Sequence, residues 1–127
     1  MKKKVLIVED DERNLALEKD LLDVAGFEVF TAVNAQGGIS IARKEKPDVI
    51  LMDVRLPDML GTEAAEKLRA DATTCDIPII FVTASVIGDE MKLIMALRIS
   101  GYISKPIDTR TFAEDVSRFM NVRKSIQ

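Results

Sequence analysis

Asp53 is the first candidate for a chemical role, because it directly follows the apolar run 49–52 and precedes a Pro-Asp turn. A run of this kind predicts a buried strand, and ligand chemistry in open α/β sheets gathers at the carboxyl ends of strands. Other residues with charged or hydroxyl side chains follow other apolar runs: Glu9, Asp10, Thr83 and Lys105. Carboxylates, a hydroxyl and an ammonium at several strand ends predict one small site.

The adjacent acids Glu9 and Asp10 predict a metal site, because neighbouring carboxylates at a strand end repel one another unless a cation compensates them. Mg²⁺ prefers oxygen ligands and typically takes one or two carboxylates together with waters and phosphate oxygens, and Mn²⁺ suits the same ligands. Asp10 and Asp53 would supply the two carboxylates, and Glu9 would hold a coordinated water. The alternative for Asp10 or Asp11 is to cap the next helix, which leaves Asp53 unexplained.

Asp53 itself admits three roles, as a turn former, a metal ligand or a nucleophile that forms an acyl-phosphate. Phosphoryl transfer needs neutralisation of charge on the equatorial oxygens more than it needs a base. A metal would cover one oxygen and the Lys105 ammonium a second. The Thr83 hydroxyl and the backbone N–H of Ala84 would cover the third. These companions favour the nucleophile.

Short apolar runs alternate with amphipathic stretches along the chain. The runs predict strands at 5–8, 29–32, 49–52, 79–82 and 102–104, and the stretches predict helices at roughly 12–25, 35–45, 61–70, 89–99 and 108–121. This alternation predicts an α/β fold with a parallel sheet and helices on both faces. No linker divides the chain, so we expect a single domain over residues 1–127, with its core at about 4–122.

Two helices carry more detailed predictions. The first has an apolar face that we expect to pack against the sheet, formed by Leu17, Leu21, Val24 and Ala25. For the last helix, Asp108 is the candidate N-cap residue.

The composition excludes several classes of protein. Of 127 residues, 47% are hydrophobic and 31% charged, and the net charge of −3 predicts no direct binding of nucleic acid. No apolar run approaches the ~18 residues of a membrane span, and the run 5–8 is too short for a signal-peptide core. We therefore expect a cytoplasmic protein without membrane insertion. With one cysteine and no histidine, the chain can form neither an internal disulfide nor a Ser-His-Asp triad.

Four segments carry a pattern shared with a known family: Val8-Glu9-Asp10-Asp11, Leu51-Met52-Asp53-Val54-Arg55-Leu56-Pro57 with Gly61, Val82-Thr83-Ala84, and Tyr102-Ile103-Ser104-Lys105-Pro106. In these segments the chain resembles the receiver domains of two-component response regulators. The resemblance implies a flavodoxin-like (βα)5 fold, doubly wound, with strand order 2-1-3-4-5. It also implies a cis peptide bond before Pro106. Because no output domain follows Gln127, we expect a stand-alone regulator or, alternatively, a fragment of a longer protein.

The resemblance implies a role for each matching residue. Asp53 would be the phospho-acceptor, and Thr83 with Tyr102 would be the switch pair. Lys105 and the backbone of Ala84 would bind phosphate. The Mg²⁺ ligands would be Glu9, Asp10, Asp53 and the backbone carbonyl of Arg55.

The function implied is a phosphorylation-dependent signalling switch that catalyses only its own phosphorylation and dephosphorylation. A histidine kinase or histidine phosphotransfer protein would supply the phosphoryl group. The surface formed by residues 89–121 would then change and alter the binding of a downstream protein target. In this family the first helix often contacts the phosphodonor, so Leu15 and Leu22 are either peripheral core or part of that contact.

Two features have alternative interpretations. The helix at 89–99 is apolar nearly all round, and Met91, Met95 and Ile99 lie on a side away from its core arc. This helix is either deeply buried or presents a docking surface for a homodimer or another target. The Arg55 side chain leans over the phosphoryl group, pairs with an acid and closes the pocket, or points to solvent. In either of the first two positions it would alter access of water.

Three other functions compete with this one. Haloacid-dehalogenase-like phosphatases need a second aspartate two residues after the nucleophile, where this chain has Arg55. Flavodoxins need a Ser/Thr/Gly-rich loop after the first strand, where this chain has the acidic segment 9–12. The strongest rival is a phosphorylation-independent interaction module of the same fold, which usually lacks the key aspartate, threonine or lysine. All three residues are present here.

Overall fold

A computed structural model of the protein describes residues 2–84, 92, 94, 96, 97 and 99–121. The strands are β1 Lys4–Val8, β2 Glu28–Ala32, β3 Val49–Met52, β4 Ile79–Thr83 and β5 Gly101–Ser104. Helices within the described residues are α1 Glu12–Val24, α2 Ala35–Glu45, α3 Gly61–Ala70 and α4 Phe112–Met120. Of the helix expected at 89–99, positions 92, 94 and 96 are helical, and 89–91, 93, 95 and 98 lie outside the described residues.

The five strands form one parallel sheet in the order β2-β1-β3-β4-β5, which confirms the expected topology. Val5 in β1 is aligned with Val29 of β2 on one side and with Val49 of β3 on the other. Because the strands run the same way, their carboxyl ends all meet one edge of the sheet. Side chains that follow different strands are therefore brought to the same edge.

Alternate strand residues face two separate cores, as the period of a β-strand requires. One core lies between the sheet and helices α2 and α3, with Leu6, Ile50 and Phe81 from the strands. The other lies between the sheet and helices α1 and α4, with Ile7 and Leu51 from the strands. Both faces are thus covered, as in a doubly wound fold. Within the part of the chain that the structure describes, no helix is both long and apolar enough to cross a membrane.

The buried face of α1 differs in part from the predicted one: Leu21 packs against the core as expected, but other predicted residues do not. Leu17 and Val24 are 40% and 90% exposed, whereas Glu18 and Leu22 are only 2% and 0% exposed. Leu15 is half-buried and packs against the same core as Leu22. Residues 15, 18 and 22 share one helical face, and the glutamate within it concealed that face from a prediction based on hydrophobicity. Leu22 is therefore a core residue.

The start of α4 also corrects a prediction. The N-cap residue is Thr111, and the helix begins at Phe112 rather than at Asp108. The Asp108 carboxylate accepts a hydrogen bond from the backbone N–H of Arg110, and its carbonyl accepts bonds from the N–H groups of Thr111 and Phe112. This local side-chain bond favours a turn over a helix. Asp108 therefore shapes the turn before the helix.

Candidate functional site

The sheet brings the predicted site residues together at its carboxyl edge. Because β1 and β3 are neighbours, the Asp53 N–H donates at 3.2 Å to the carbonyl of Val8, the residue before Glu9. At the neighbouring strands β4 and β5, the Lys105 N–H donates to the Thr83 carbonyl at 2.9 Å. The expected cis peptide bond between Lys105 and Pro106 is present. The carboxyl edge of the sheet thus brings together four residues that are widely separated along the chain: Glu9, Asp53, Thr83 and Lys105.

Lys105 is the cation of this site. Its ammonium lies 2.5 Å from Oε1 of Glu9 and 2.7 Å from Oδ2 of Asp53. The other Glu9 oxygen, Oε2, accepts a bond from the Asp11 backbone N–H at 3.1 Å. The Glu9 side chain is 3% exposed, and the side chains of Lys105 and Asp53 are 14% and 13% exposed. A mostly buried ammonium therefore bridges the ends of β1 and β3.

Burial and pairing act in opposite directions on these groups. Burial raises the pKa of the Glu9 carboxyl above its ordinary value, although the hydrogen bonds from Lys105 and Asp11 lower it in part. Burial alone would lower the pKa of Lys105, but its hydrogen bonds to Asp53 and Glu9 raise it. The Lys105 ammonium therefore stays charged, and it offsets much of the cost of burying the acids.

The acids fit a hard divalent cation. One carboxylate oxygen each from Glu9, Asp10 and Asp53 lies within 4.8 Å of the others. The Lys105 ammonium pairs with Glu9 and Asp53, so the three carboxylates outnumber the ammonium that contacts them among the described residues. An all-oxygen donor set with spare negative charge suits Mg²⁺. The geometry is therefore consistent with the metal site expected from the sequence.

The loop after β3 is closed on itself. The Arg55 N–H donates to Oδ1 of Asp53 at 3.1 Å, and Arg55 forms an isolated antiparallel bridge with Leu60. At the base of the loop, the Gly61 N–H donates to the Val54 carbonyl at 2.6 Å. A Cβ atom on Gly61 would collide with the Asp53 carbonyl oxygen, so only glycine fits there. This loop carries the Arg55 carbonyl, the expected backbone ligand.

The residues expected to act as a switch lie on adjacent strands. Thr83, 2% exposed, ends β4 and is aligned with Ser104, while Tyr102 is aligned with Phe81. Since residues two apart in a strand share a face, Thr83 and Tyr102 lie diagonally on the same side of the sheet. Tyr102 is half-buried against the core beneath α2 and α3, and Ala84 is exposed.

The helix predicted at 89–99 is described only in part. Ile94, 1% exposed, belongs to the same core as Phe81, and Leu97 and Ile99 pack against that core. The prediction of a docking surface depends also on Met91 and Met95, which lie outside the described residues. That prediction stays open.

Glu18 is a residue near the site that the sequence reasoning missed. Burial raises the pKa of its carboxyl to about 8, and the nearby negative charges of Glu9 and Asp53 act in the same direction. Within the described part of the chain it has no hydrogen bond or ion pair, and the charge of Lys105 lowers its pKa only in part. Its spacing from Leu15 and Leu22, three and four residues, is the signal that could have revealed it.

Known proteins share this architecture. Residues 5–117 match the family model described as the response regulator receiver domain. Polar-differentiation response regulator DivK of Brucella anthropi is 37% identical over 120 residues, which cover 94% of this chain and 98% of that protein. The crystal structure of a CheY-like response regulator receiver domain protein from Methanospirillum hungatei has a TM-score of 0.90 and 28% identity, with 100% of both chains covered. The receiver domain of a sensor histidine kinase from Pseudomonas aeruginosa has a TM-score of 0.85 and 25% identity, with 95% and 99% covered, and holds a magnesium ion coordinated in its active-site cleft.

Proposed function

The chain belongs to the response regulator receiver domain family of two-component signalling, and from that premise we propose that it is a switch operated by phosphorylation of Asp53. The observation that carries the proposal is the position of Lys105, whose ammonium contacts both Asp53 and Glu9. An ammonium at this point can neutralise an oxygen of a phosphoryl group attached to Asp53.

Mg²⁺ would complete the charge balance of the site by neutralising a phosphoryl oxygen. The residues that would hold it are Glu9, Asp10, Asp53 and the backbone carbonyl of Arg55, with Mn²⁺ as a substitute. A magnesium ion in the cleft of the related Pseudomonas aeruginosa receiver domain supports this assignment.

The phosphoryl group must come from another protein or from a small molecule, because this chain contains no histidine. We propose a histidine kinase or a histidine phosphotransfer protein as the donor. A carboxylate oxygen of Asp53 attacks the phosphorus atom, an O–P bond forms, and the P–N bond to the donor imidazole breaks. The imidazole leaves as the neutral base once it carries a proton from the solvent or from the donor protein. The Arg55 N–H holds Oδ1 of Asp53, which orients the carboxylate for attack.

The readout would be a shift between two packings of the domain. A phosphoryl dianion attracts the Lys105 ammonium, and the Thr83 hydroxyl and Ala84 N–H would contact its remaining oxygen. Tyr102, diagonal to Thr83 on the same face, would then move into the space that Thr83 leaves. The surface of residues 89–121 would change, and a downstream protein target would distinguish the two states. A cytoplasmic location and a homodimer through this surface are further parts of the proposal.

The test is incubation with acetyl phosphate and Mg²⁺, followed by intact mass measurement. Wild type should gain the mass of one phosphoryl group, and Asp53→Asn should not. Asp48→Asn is a matched control, because Asp48 flanks the opposite end of β3. It should be phosphorylated like wild type.

No gain in wild type, or an equal gain in Asp53→Asn, would leave the rival function, a phosphorylation-independent interaction module. A pull-down with and without phosphodonor then tests the switch, because only a switch changes its set of bound proteins.

A further inference from the structure

Asp58 connects the loop after β3 to a distant helix. Its carboxylate oxygens accept hydrogen bonds from the backbone N–H groups of Ala35 at 2.8 Å and Gln36 at 2.9 Å, both in the first turn of α2. These bonds lower the pKa of the Asp58 carboxyl, which stays ionised at neutral pH. The helix has a local N-cap as well, since Asn34 accepts a bond from the Gly37 N–H at 2.7 Å. Asp58 thus adds long-range bonds to a helix start that already has a local cap.

The loop that Asp58 anchors is the one that carries part of the metal site. It begins at Asp53, includes the Arg55 carbonyl, and is closed by the bridge between Arg55 and Leu60 and by the bond from Gly61 to Val54. Asp58 lies between the two bridged residues, at the tip of the loop. The base of the loop is tied to the sheet, and its tip is tied to α2.

Helix α2 is also held closely against β1, the strand that leads into the acids Glu9 and Asp10. A Cβ atom on Gly38 would lie 2.6 Å from a methyl carbon of Val8, so the helix can approach the end of β1 only because this position is glycine. The acids of the cluster follow β1 and β3. Helix α2 contacts Val8, the last residue of β1 before Glu9 and Asp10, and it bonds Asp58 in the loop that follows β3.

We propose that Asp58 is a positioning residue for the metal site, fixing the Asp53–Arg55 segment relative to Glu9 and Asp10 by bonding the first turn of α2. The proposal rests on the proposed function, because it takes the acid cluster to be a Mg²⁺ site. Outer contacts of this kind set the orientation of metal ligands and therefore the affinity for the ion. Without Asp58 the loop would keep its ligands but sample more positions.

A merely structural role makes a different prediction. If Asp58 only caps α2, its loss should lower folding stability, as the loss of a helix cap does, and leave the affinity of the folded protein for Mg²⁺ unchanged. If it positions the loop, the Kd for Mg²⁺ should rise while the protein remains folded. Affinity and stability therefore separate the two roles.

The experiment is calorimetric titration of Mg²⁺ into wild type, Asp58→Ala and Asp58→Asn at physiological ionic strength. We expect Asp58→Ala to bind Mg²⁺ roughly tenfold more weakly, in the range found when outer contacts of metal sites are removed. Asp58→Asn keeps one carbonyl acceptor for the helix N–H groups and should lie between wild type and Asp58→Ala. At saturating Mg²⁺, Asp58→Ala should still be phosphorylated on Asp53.

Asp71→Ala is the matched control. The Asp71 carboxylate also joins another segment to α2, through Arg43 at 2.7 Å, and it shapes a local turn at Thr73, but it lies outside the acid cluster. Its removal should lower stability and leave the Kd for Mg²⁺ unchanged. Backbone amide NMR signals of Arg55 and Gly61 supply a second measurement, since they should shift in Asp58→Ala and not in Asp71→Ala.

Three results would overturn the positioning role. One is an unchanged Kd in Asp58→Ala. Another is an equal loss in Asp71→Ala, which would indicate a general effect of destabilisation. The third is an equal loss in Asp58→Asn and Asp58→Ala that disappears at high salt, which would indicate the Asp58 charge rather than its hydrogen bonds. Failure of wild type to bind Mg²⁺ or to be phosphorylated would instead refute the proposed function, so the two failures are distinguishable.

Discussion

Glu9 and Glu18 are two carboxyl groups with the same exposure, 2%, and opposite surroundings. Glu9, after β1, contacts the Lys105 ammonium and accepts a bond from the Asp11 N–H. Glu18, on the buried face of α1, has neither kind of partner within the described residues. The cost of burying a charge is offset in one place and avoided by protonation in the other, since the pKa of about 8 keeps Glu18 neutral at pH 7.

Glu9 and Glu18 show that burial of a carboxyl group does not by itself indicate a functional role. Glu9 is one of three clustered acids at the edge where ligand chemistry is expected, and its charge is retained by a cation. Glu18 has a strongly raised pKa, which by itself would make it a candidate site residue. Burial is the largest cause of that shift, and the charges of Glu9 and Asp53 add to it, but no hydrogen-bond or ion-pair partner within the described residues contacts Glu18. A perturbed pKa therefore indicates a site only where other polar groups converge.

The largest expected effect is a gain in stability from Glu18→Met. Glu18 must take up a proton to be buried, which costs on the order of 3 kcal/mol at pH 7 with a folded pKa of about 8 against the ordinary 4.5. Methionine has a similar volume and no such cost. Urea unfolding at pH 7 should show the gain, and Glu66→Met, at an exposed position of α3, should show little change. A destabilised Glu18→Met would contradict the comparison.

The same change should alter the pH dependence of stability. Because the folded pKa of Glu18 is raised, its contribution is fully favourable below about pH 4.5 and is lost progressively as the pH rises to about 8. The advantage of Glu18→Met over wild type should therefore grow with pH across this window, by up to about 1.4 kcal/mol per pH unit. Urea unfolding at pH 5, 6, 7 and 8 measures it. A constant difference would mean that Glu18 is already ionised in the folded protein.

Removal of the Lys105 ammonium beside Glu9 should lower the stability of the protein, whereas Glu18→Met should raise it. Lys105→Met leaves Glu9 and Asp53 without their ammonium and should destabilise the metal-free protein by about 2 kcal/mol at pH 7, less than the 3–5 kcal/mol for fully buried pairs because Asp53 is partly exposed. The loss should shrink in acid as Glu9, whose pKa is raised by burial, takes up a proton. Lys67→Met, on the exposed side of α3, is the control. Thermal unfolding of both variants decides whether the pair offsets the cost of burial.

Addition of Mg²⁺ should stabilise the protein through the acid cluster and independently of Glu18. At ten times its Kd, the ion should stabilise wild type by about 1.4 kcal/mol, because it binds only the folded state. Asp10→Asn, which removes one acid of the cluster, should lose most of this gain, and Glu18→Met should keep it. Thermal unfolding with and without Mg²⁺ measures the difference. If Glu18→Met also lost the gain, Glu18 would belong to the metal site.

The smallest expected effect concerns Arg55, which lies two residues beyond Asp53 and has an exposed side chain at the edge of the acid cluster. If that side chain limits access of water, Arg55→Ala should change the dephosphorylation rate by several-fold, which corresponds to about 1 kcal/mol. The backbone bond from Arg55 to Asp53 is retained in the variant. Decay of the phosphorylated mass after removal of the donor gives the rate, and an unchanged rate would show that the side chain plays no part.

The clustering of the candidate site residues was predictable from the sequence because these residues follow strands. Asp53, Thr83 and Lys105 come directly after or at the end of β3, β4 and β5, and a parallel sheet places all such positions on one edge. The start of α4 was predicted four residues too early, because Asp108 has the properties of an N-cap residue. Whether it caps a helix or bonds its own turn is a local competition with a small free-energy difference.

The buried face of α1 was not predictable from hydrophobicity. Two stripes of the helix were apolar, one with Leu17 and Val24, the other with Leu15 and Leu22, and the second contains Glu18. Hydrophobicity alone favours the purely apolar stripe. The structure buries the other one, and burial raises the pKa of its glutamate, because the full packing of the helix on the sheet outweighs the cost of one carboxyl group.

The alternation of strands and helices, the family pattern and the residues of the acid cluster can be read from the sequence alone, since each depends on residue type and on spacing along the chain. The buried side of α1, and the bonds of Asp58 to a helix 22 and 23 residues away, follow from the folded structure. Both outcomes depend on how elements pack. The free energy of packing is summed over many distant contacts, so no local pattern in the chain carries it.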